Sequence, residues 1–176
     1  MTVAASPVIE TERLILRPLM SYDAPAMHEM LSDAETMRYW STLPHRSLVE
    51  TETWVNEAVA TNRRGEGHDF AVLHEARVIG RSAFWSGNEV GFLFRHAVWG
   101  RGFAGEAMSA MLRFGFDSLG FKSARADVDP NNTRSLQLLD RLGFRETGRA
   151  QRTFKIGDDW FDSIYLTLKA SDFLKS

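Results

Sequence analysis

Three glycines in six residues, Gly100, Gly102 and Gly105, stand between two apolar segments of different period. Ahead of them Glu89-Val90-Gly91-Phe92-Leu93-Phe94 reads as a buried strand, and after them Ala107-Met108-Ser109-Ala110-Met111-Leu112 reads as a helix. Strand, glycine turn and helix start aim main-chain N–H groups, and the positive end of a helix dipole, at an anion. Glycine suits the turn because a residue without Cβ lets the backbone close onto its ligand. The stretch is therefore expected to hold a phosphorylated group. Elsewhere Glu89 opens the strand as a charge beside a turn, and Asn131 or Asn132 can cap a later helix.

The residues that are missing narrow the chemistry. The chain has no cysteine, which excludes disulfides, thiolate metal sites and a cysteine nucleophile. Its five histidines show no metal-ligand spacing and read as solvated or core-edge residues, so no metal is expected. A length of 176 residues, 44% of them hydrophobic and 25% charged, fits a single domain over residues 1–176. The net charge of -2 argues against a nucleic-acid partner. Met1 to Glu10 lacks the basic and apolar regions of a signal peptide, and no run nears the roughly 20 apolar residues of a membrane span. A cytoplasmic protein with no membrane partner is the expectation.

Gly100-Arg101-Gly102-Phe103-Ala104-Gly105 also matches the G-x-G-x-x-G of dinucleotide-binding folds, with Asp127 at about the right distance. Hairpin-like strands precede it, however, and too little chain follows for a doubly wound sheet. No Gly-Lys-Ser/Thr follows, so it is no P-loop. A purely structural tight turn is the plain alternative.

The elements that must position these residues can be read in order. Thr11 to Arg17 alternates into a first strand ended by Pro18. Ser21 or Asp23 can cap a helix with Pro25 in its first turn, and a short helical turn is expected over Asp33 to Arg38. Tyr39 to Arg46 reads as a loop, and Ser47 to Gly65 as a capped helix. His68 to His74 and Arg77 to Trp85 read as strands leading through Ser86-Gly87-Asn88 to the central strand. A helix from about Phe103 to Ser118, a strand over Ser123 to Val128 and a helix ended by Gly143 follow. Phe144 to Ile156 and Trp160 to Leu168 flank Gly157-Asp158-Asp159 as a hairpin. The sum is an α+β chain, a mixed and mostly antiparallel sheet of about seven strands with about four helices.

Trp99-Gly100-Arg101-Gly102-Phe103-Ala104-Gly105-Glu106-Ala107 resembles the acetyl-CoA-binding loop of the GNAT acyltransferases. Thr11-Glu12-Arg13-Leu14-Ile15-Leu16-Arg17-Pro18-Leu19 resembles the opening strand of their RimJ/RimL-like branch, the protein N-terminal acetyltransferases. Asn132-Thr133-Arg134-Ser135 with Leu142-Gly143-Phe144 resembles the family's second cofactor element, and Gly157 to Asp162 its closing hairpin. The resemblance spans nearly the whole chain. It implies a sheet whose central strands splay to form an acetyl-CoA cleft. Backbone at Arg101, Gly102, Phe103, Ala104 and Gly105 would hold pyrophosphate, and the strand end around Phe94 and Arg95 would pair with pantetheine amides. Asn132 and Ser135 would lie beside the pantetheine and sulfur, with Ser135 a candidate proton donor. Glu89 would take the amine proton, and Glu106 reads as a helix-start carboxylate. Many relatives carry a tyrosine where this chain has Leu139, so the donor to the leaving thiolate is Ser135, another hydroxyl such as Tyr165, or water.

Without a cysteine relay, the resemblance implies direct attack by an amine on the thioester. An α-amine of pKa near ~7.8 is roughly a third neutral at pH 7.5, whereas a lysine near ~10.4 is about 0.1% neutral. One carboxylate base therefore suits a protein or peptide N-terminal α-amine better, with a small-molecule amine, or a non-catalytic acyl-CoA-binding module, as the alternatives. Tyr39, Trp40 and Trp85, with the Phe154 to Trp160 hairpin, are the expected wall of the acceptor site.

Overall fold

The alternating and apolar runs pair into an eight-stranded sheet in the computed structural model, which describes residues 6–173. The strands are β1 (Ile9–Glu10), β2 (Ile15–Pro18), β3 (His68–His74), β4 (Arg77–Ser86), β5 (Glu89–Phe94), β6 (Ser123–Val128), β7 (Arg145–Ile156) and β8 (Asp159–Lys169). Their order is β1-β2-β3-β4-β5-β6-β8-β7, antiparallel throughout except for the parallel pair β5 and β6. The helices are α1 (Ala24–Leu31), α2 (Leu48–Arg64), α3 (Phe103–Asp117), α4 (Thr133–Arg141) and the short α5 (Ala170–Phe173). No helix among the described residues is long and apolar enough to cross a membrane.

Two local expectations are corrected. The opening strand, expected over Thr11 to Arg17, pairs only from Ile15 and takes in Pro18: Thr11 N bonds Leu14 O (2.9 Å) and the Thr11 hydroxyl accepts from Leu14 N (3.0 Å). That turn separates β1 from β2 and adds a strand too short for periodicity to reveal. The short helical turn expected over Asp33 to Arg38 is present, closed by Met37 N on Asp33 O (3.0 Å). The Asp33 carboxylate accepts from the Thr36 N–H (2.9 Å) and hydroxyl (2.5 Å), as a cap does. The hairpin turn is Gly157-Asp158 alone, since Asp159 already pairs with Ile156.

The two faces of the sheet are covered unequally. Ala124, Ala126 and Val128 of β6 lie in one core cluster with Phe103, Ala107 and Met111 of α3 and Leu139 of α4. A second cluster joins Met27 and Met30 of α1, Val55 and Val59 of α2, Ala71 of β3 and Leu93 of β5 on the opposite face. Strand alternation sends Arg125 and Asp127 of β6 to this second face, where they are exposed. The loop joining α1 to α2 is held from within: the fully buried Thr51 hydroxyl contacts His28 Nδ1 (2.7 Å) and His45 Nδ1 (2.8 Å). His45 and His68 are thus buried rather than solvated, and burial pushes both imidazoles below their usual pKa.

The decisive irregularity is between β5 and β6. They share one paired position, Glu89 with Arg125, fastened by Arg125 N to Asn88 O (2.9 Å) and Asn88 Nδ2 to Ser123 O (2.8 Å). Beyond Glu89 the two strands part.

Candidate active site

The glycine turn follows β5 at the mouth of this opening. Gly100 and Gly102 adopt φ of +76° and +81°, left-handed values that side-chain-bearing residues rarely take. Gly102 caps α3, and Glu106 N is the first amide to bond back, to Gly102 O (3.1 Å). The amides of Phe103, Ala104 and Gly105 therefore lack partners within the helix and project from its positive end. A Cβ on Gly100 would meet nothing within 4 Å, and one on Gly102 only Arg13 Nη2 at 3.3 Å. The concavity is open, as an anion cradle requires.

Thr11 and Arg13 lash the β1–β2 turn to this cradle. The Glu106 carboxylate accepts from the Thr11 hydroxyl (2.6 Å), Arg13 N (2.8 Å) and Arg13 Nε (2.7 Å), while Arg13 Nη1 donates to Arg101 O (3.0 Å). The guanidinium carbons of Arg13 and Arg101 lie 4.6 and 4.8 Å from the Phe103 ring centre. Burial would raise the Glu106 pKa, but the bonds from Thr11 and Arg13 together hold it below the usual carboxylate range. A depressed pKa means stabilisation that is present above the unfolded pKa and lost as pH falls through the folded one. Glu106→Gln is accordingly expected to cost about 1–3 kcal/mol at pH 7. In thermal melts the gap from wild type should close towards pH 3.

Along β5 the main-chain direction decides what faces the opening. Arg95 N bonds Ile79 O of β4 (2.9 Å), its carbonyl accepts from Val98 N (3.0 Å), and its side chain reaches Val78 O and Glu29. Its main-chain N–H and carbonyl are therefore already paired within the protein, a correction to its expected pairing with pantetheine. Because successive residues alternate, the polar groups of Phe94 and Phe92 face the side that β6 vacates. The Phe94 carbonyl accepts from Trp99 Nε1 (2.8 Å), which leaves the Phe94 N–H and both groups of Phe92. Trp99 is stacked in turn by Arg134 of α4, at 5.0 Å.

Across the cleft, Asn132 caps α4 by accepting from Ser135 N (3.2 Å). The Ser135 hydroxyl and Asn132 Nδ2 take no other side chain as partner among the described residues. Leu139, by contrast, is fully buried in the core.

On the second face, Glu89 joins Arg125, Asp127, Thr147 and Tyr165 around a cavity of about 290 Å³. Burial raises the Glu89 pKa; Arg125 opposes this and Asp127 adds to it. Two residues along β5, a Cβ on Gly91 would lie 3.3 Å from Trp85 Cδ1 and 3.7 Å from Arg81 Nη1. Gly91 and Glu89 share a face, so Trp85 and Arg81 flank the same surface as the carboxylate. Trp40 and Trp54 complete it, 5.8 and 4.9 Å from the Arg81 guanidinium carbon. Trp40 and Trp85 thus lie about Arg81 and Gly91, whereas Tyr39 is exposed and packs against Arg38. Sequence reading missed Arg81, Asp69 and Trp54. The available signal was an acidic residue inside β3 and an arginine inside β4, each among apolar neighbours.

A family model described as the acetyltransferase (GNAT) domain matches residues 13–145. The chain belongs to the GNAT acetyltransferase family. The acetyltransferase is 30% identical over 146 residues, 78% of its length and 82% of the other's, to the uncharacterized N-acetyltransferase p20 of Bacillus licheniformis. It is 25% identical over 167 residues, 90% of its length and 87% of the other's, to spermidine N(1)-acetyltransferase of Escherichia coli K12. Its fold superposes with a TM-score of 0.83 on the Salmonella typhimurium acetyltransferase that modifies the N-terminal serine of ribosomal protein L7/L12. That likeness covers 90% of this chain and 96% of the other at 15% identity, and it concerns the fold alone. Acetyl transfer from acetyl-CoA to an amine is therefore the activity of this acetyltransferase, and the cradle and the vacated edge of β5 fit that ligand's phosphates and amides.

Proposed function

We propose that the acceptor is the α-amine at a peptide or protein N-terminus, acetylated by direct attack in the manner of the RimJ/RimL-type enzymes. The observation that carries this reading is the place of Glu89. Its carboxylate stands where β5 and β6 part, half-buried, with its pKa raised by that burial and Arg125 paired opposite. A raised pKa makes a better base near neutrality, and an amine already partly neutral needs no more than one.

Acetyl-CoA supplies the thioester that the amine attacks. The amides of Phe103, Ala104 and Gly105 bind its phosphates, and the free groups of Phe94 and Phe92 continue their ladder onto its amides. Glu89 takes the proton that leaves the amine nitrogen as the C–N bond forms. The Ser135 hydroxyl, at the start of α4, hydrogen-bonds the sulfur as the C–S bond breaks and thiolate charge develops. Trp40 and Trp85 wall the acceptor.

A second reading, a small polyamine acceptor, is favoured by the Escherichia coli relative named for spermidine. Initial rates of thiol release discriminate the two. Peptides with free N-termini should turn over, while the same peptides N-terminally blocked, with internal lysines, should be silent. Turnover of spermidine without turnover of any free peptide N-terminus would replace the first reading with the second.

A further inference from the structure

A buried ion pair lies beneath the acceptor face. Asp69 of β3 and Arg81 of β4 are 5% and 4% exposed. Arg81 grips Asp69 with two nitrogens, Nε to Oδ1 and Nη2 to Oδ2, the latter at 2.7 Å. Asn62 of α2 pins the Asp69 backbone on both sides, accepting from Asp69 N (2.8 Å) and donating to Asp69 O (2.9 Å). Such a pair is a poor device for stability, because desolvating two charges offsets most of their attraction. It is a good device for aiming a guanidinium.

The third nitrogen, Nη1, makes no hydrogen bond in the structure. It points to the space above Gly91, 3.7 Å from where a Cβ would be, with the Trp85 ring on the other side. Gly91 is two residues past the last pairing of β5 with β6, so this space adjoins the point where an acyl group would emerge from the cleft. It lies roughly 6.6 Å along the strand from Glu89, two residues at about 3.3 Å each. We infer that Arg81 Nη1 donates a hydrogen bond to the carbonyl oxygen of the acceptor's first residue and so selects α-amino acyl compounds, above all peptides, over polyamines.

The chemistry supports that choice. With Asp69 gripped, the pair is formally neutral, so its spare donors suit a neutral carbonyl. In a peptide that carbonyl is one Cα away from the attacking nitrogen. A polyamine offers methylenes and cations there, leaving a buried donor unmatched. The inference rests on the amine-acetylating reading of the site given above.

The test compares a peptide with its isostere in which an (E)-alkene replaces the first peptide bond, keeping the shape and removing the carbonyl. Arg81→Lys preserves a cation for Asp69 but has a single nitrogen, which Asp69 occupies. The ratio of kcat/KM for peptide over alkene should be at least about tenfold greater in the wild type than in Arg81→Lys. The difference in amine basicity between the two acceptors is common to both enzymes and cancels. Equal ratios would overturn the assignment of Arg81 while leaving peptide acetylation intact; no turnover of any peptide would overturn the function and this inference together. If Arg81→Lys does not fold, Gly91→Ala carries the test, since its methyl group would occupy the carbonyl's space. Its peptide KM should then rise about tenfold or more, with the acetyl-CoA Kd unchanged. An unaltered KM would overturn the inference.

Discussion

Gly102→Val is expected to abolish acetyl-CoA binding in a protein that still folds. The φ of +81° at this position strains a β-branched residue by about 1–3 kcal/mol, which lowers Tm without unfolding an ordinary domain. The greater damage is local. The new Cβ would stand 3.3 Å from Arg13 Nη2, and its two methyl groups would fill the concavity onto which Phe103, Ala104 and Gly105 direct their amides. Phosphate oxygens could then no longer reach the donors. Calorimetry on the folded variant should detect no acetyl-CoA binding at concentrations that saturate the wild type. Near-normal affinity would end the phosphate-cradle reading. NADH should not bind the wild type, and micromolar affinity for it would restore the dinucleotide interpretation of the same three glycines.

Glu89→Gln should lower kcat/KM by roughly a hundredfold near neutrality, the usual scale of a positioned base. The deficit should shrink with rising pH as the acceptor arrives already deprotonated. For a peptide α-amine recovery should be visible by about pH 8–9, and for a lysine-like amine only by about pH 10. Stability should move the other way. A carboxyl whose folded pKa is raised by burial favours folding in its protonated form, and that contribution is lost as pH rises through the folded pKa. Glutamine mimics the protonated form, so the variant should be at least as stable as wild type at pH 7, with any advantage gone below about pH 4. A small, pH-independent loss of activity would assign the proton to solvent and leave Glu89 a shaping role.

The glycine turn was legible because its requirement is local: left-handed φ values at Gly100 and Gly102 and a helix start at Phe103 are written in neighbouring residues. The same holds for the cap at Asn132. What escaped was fixed at long range. Arg81 meets Asp69 only through the register of β3 on β4, which shifts at Val72 and Leu73, and no periodicity encodes that. Arg95 was assigned to the cleft by proximity to the strand end, whereas the direction of its N–H follows from its pairing with Ile79. Glu106 was read as a helix-dipole carboxylate, and its partners Thr11 and Arg13 lie 95 and 93 residues away in sequence.

The single rung between Glu89 and Arg125 has a mechanical meaning. Five strands on one side and three on the other behave as two leaves of a book bound by one stitch, with the spine open from Val90 onwards. A pantothenate arm laid along that spine would be a ninth strand that is not protein, and it would close the binding. The acceptor surface proposed at Glu89, Gly91 and Arg81 starts at the stitch and runs along β5 on the leaf of five strands. Thioester first and amine second is the order to expect if the acceptor needs that edge filled, and initial-rate kinetics with both substrates varied would read it.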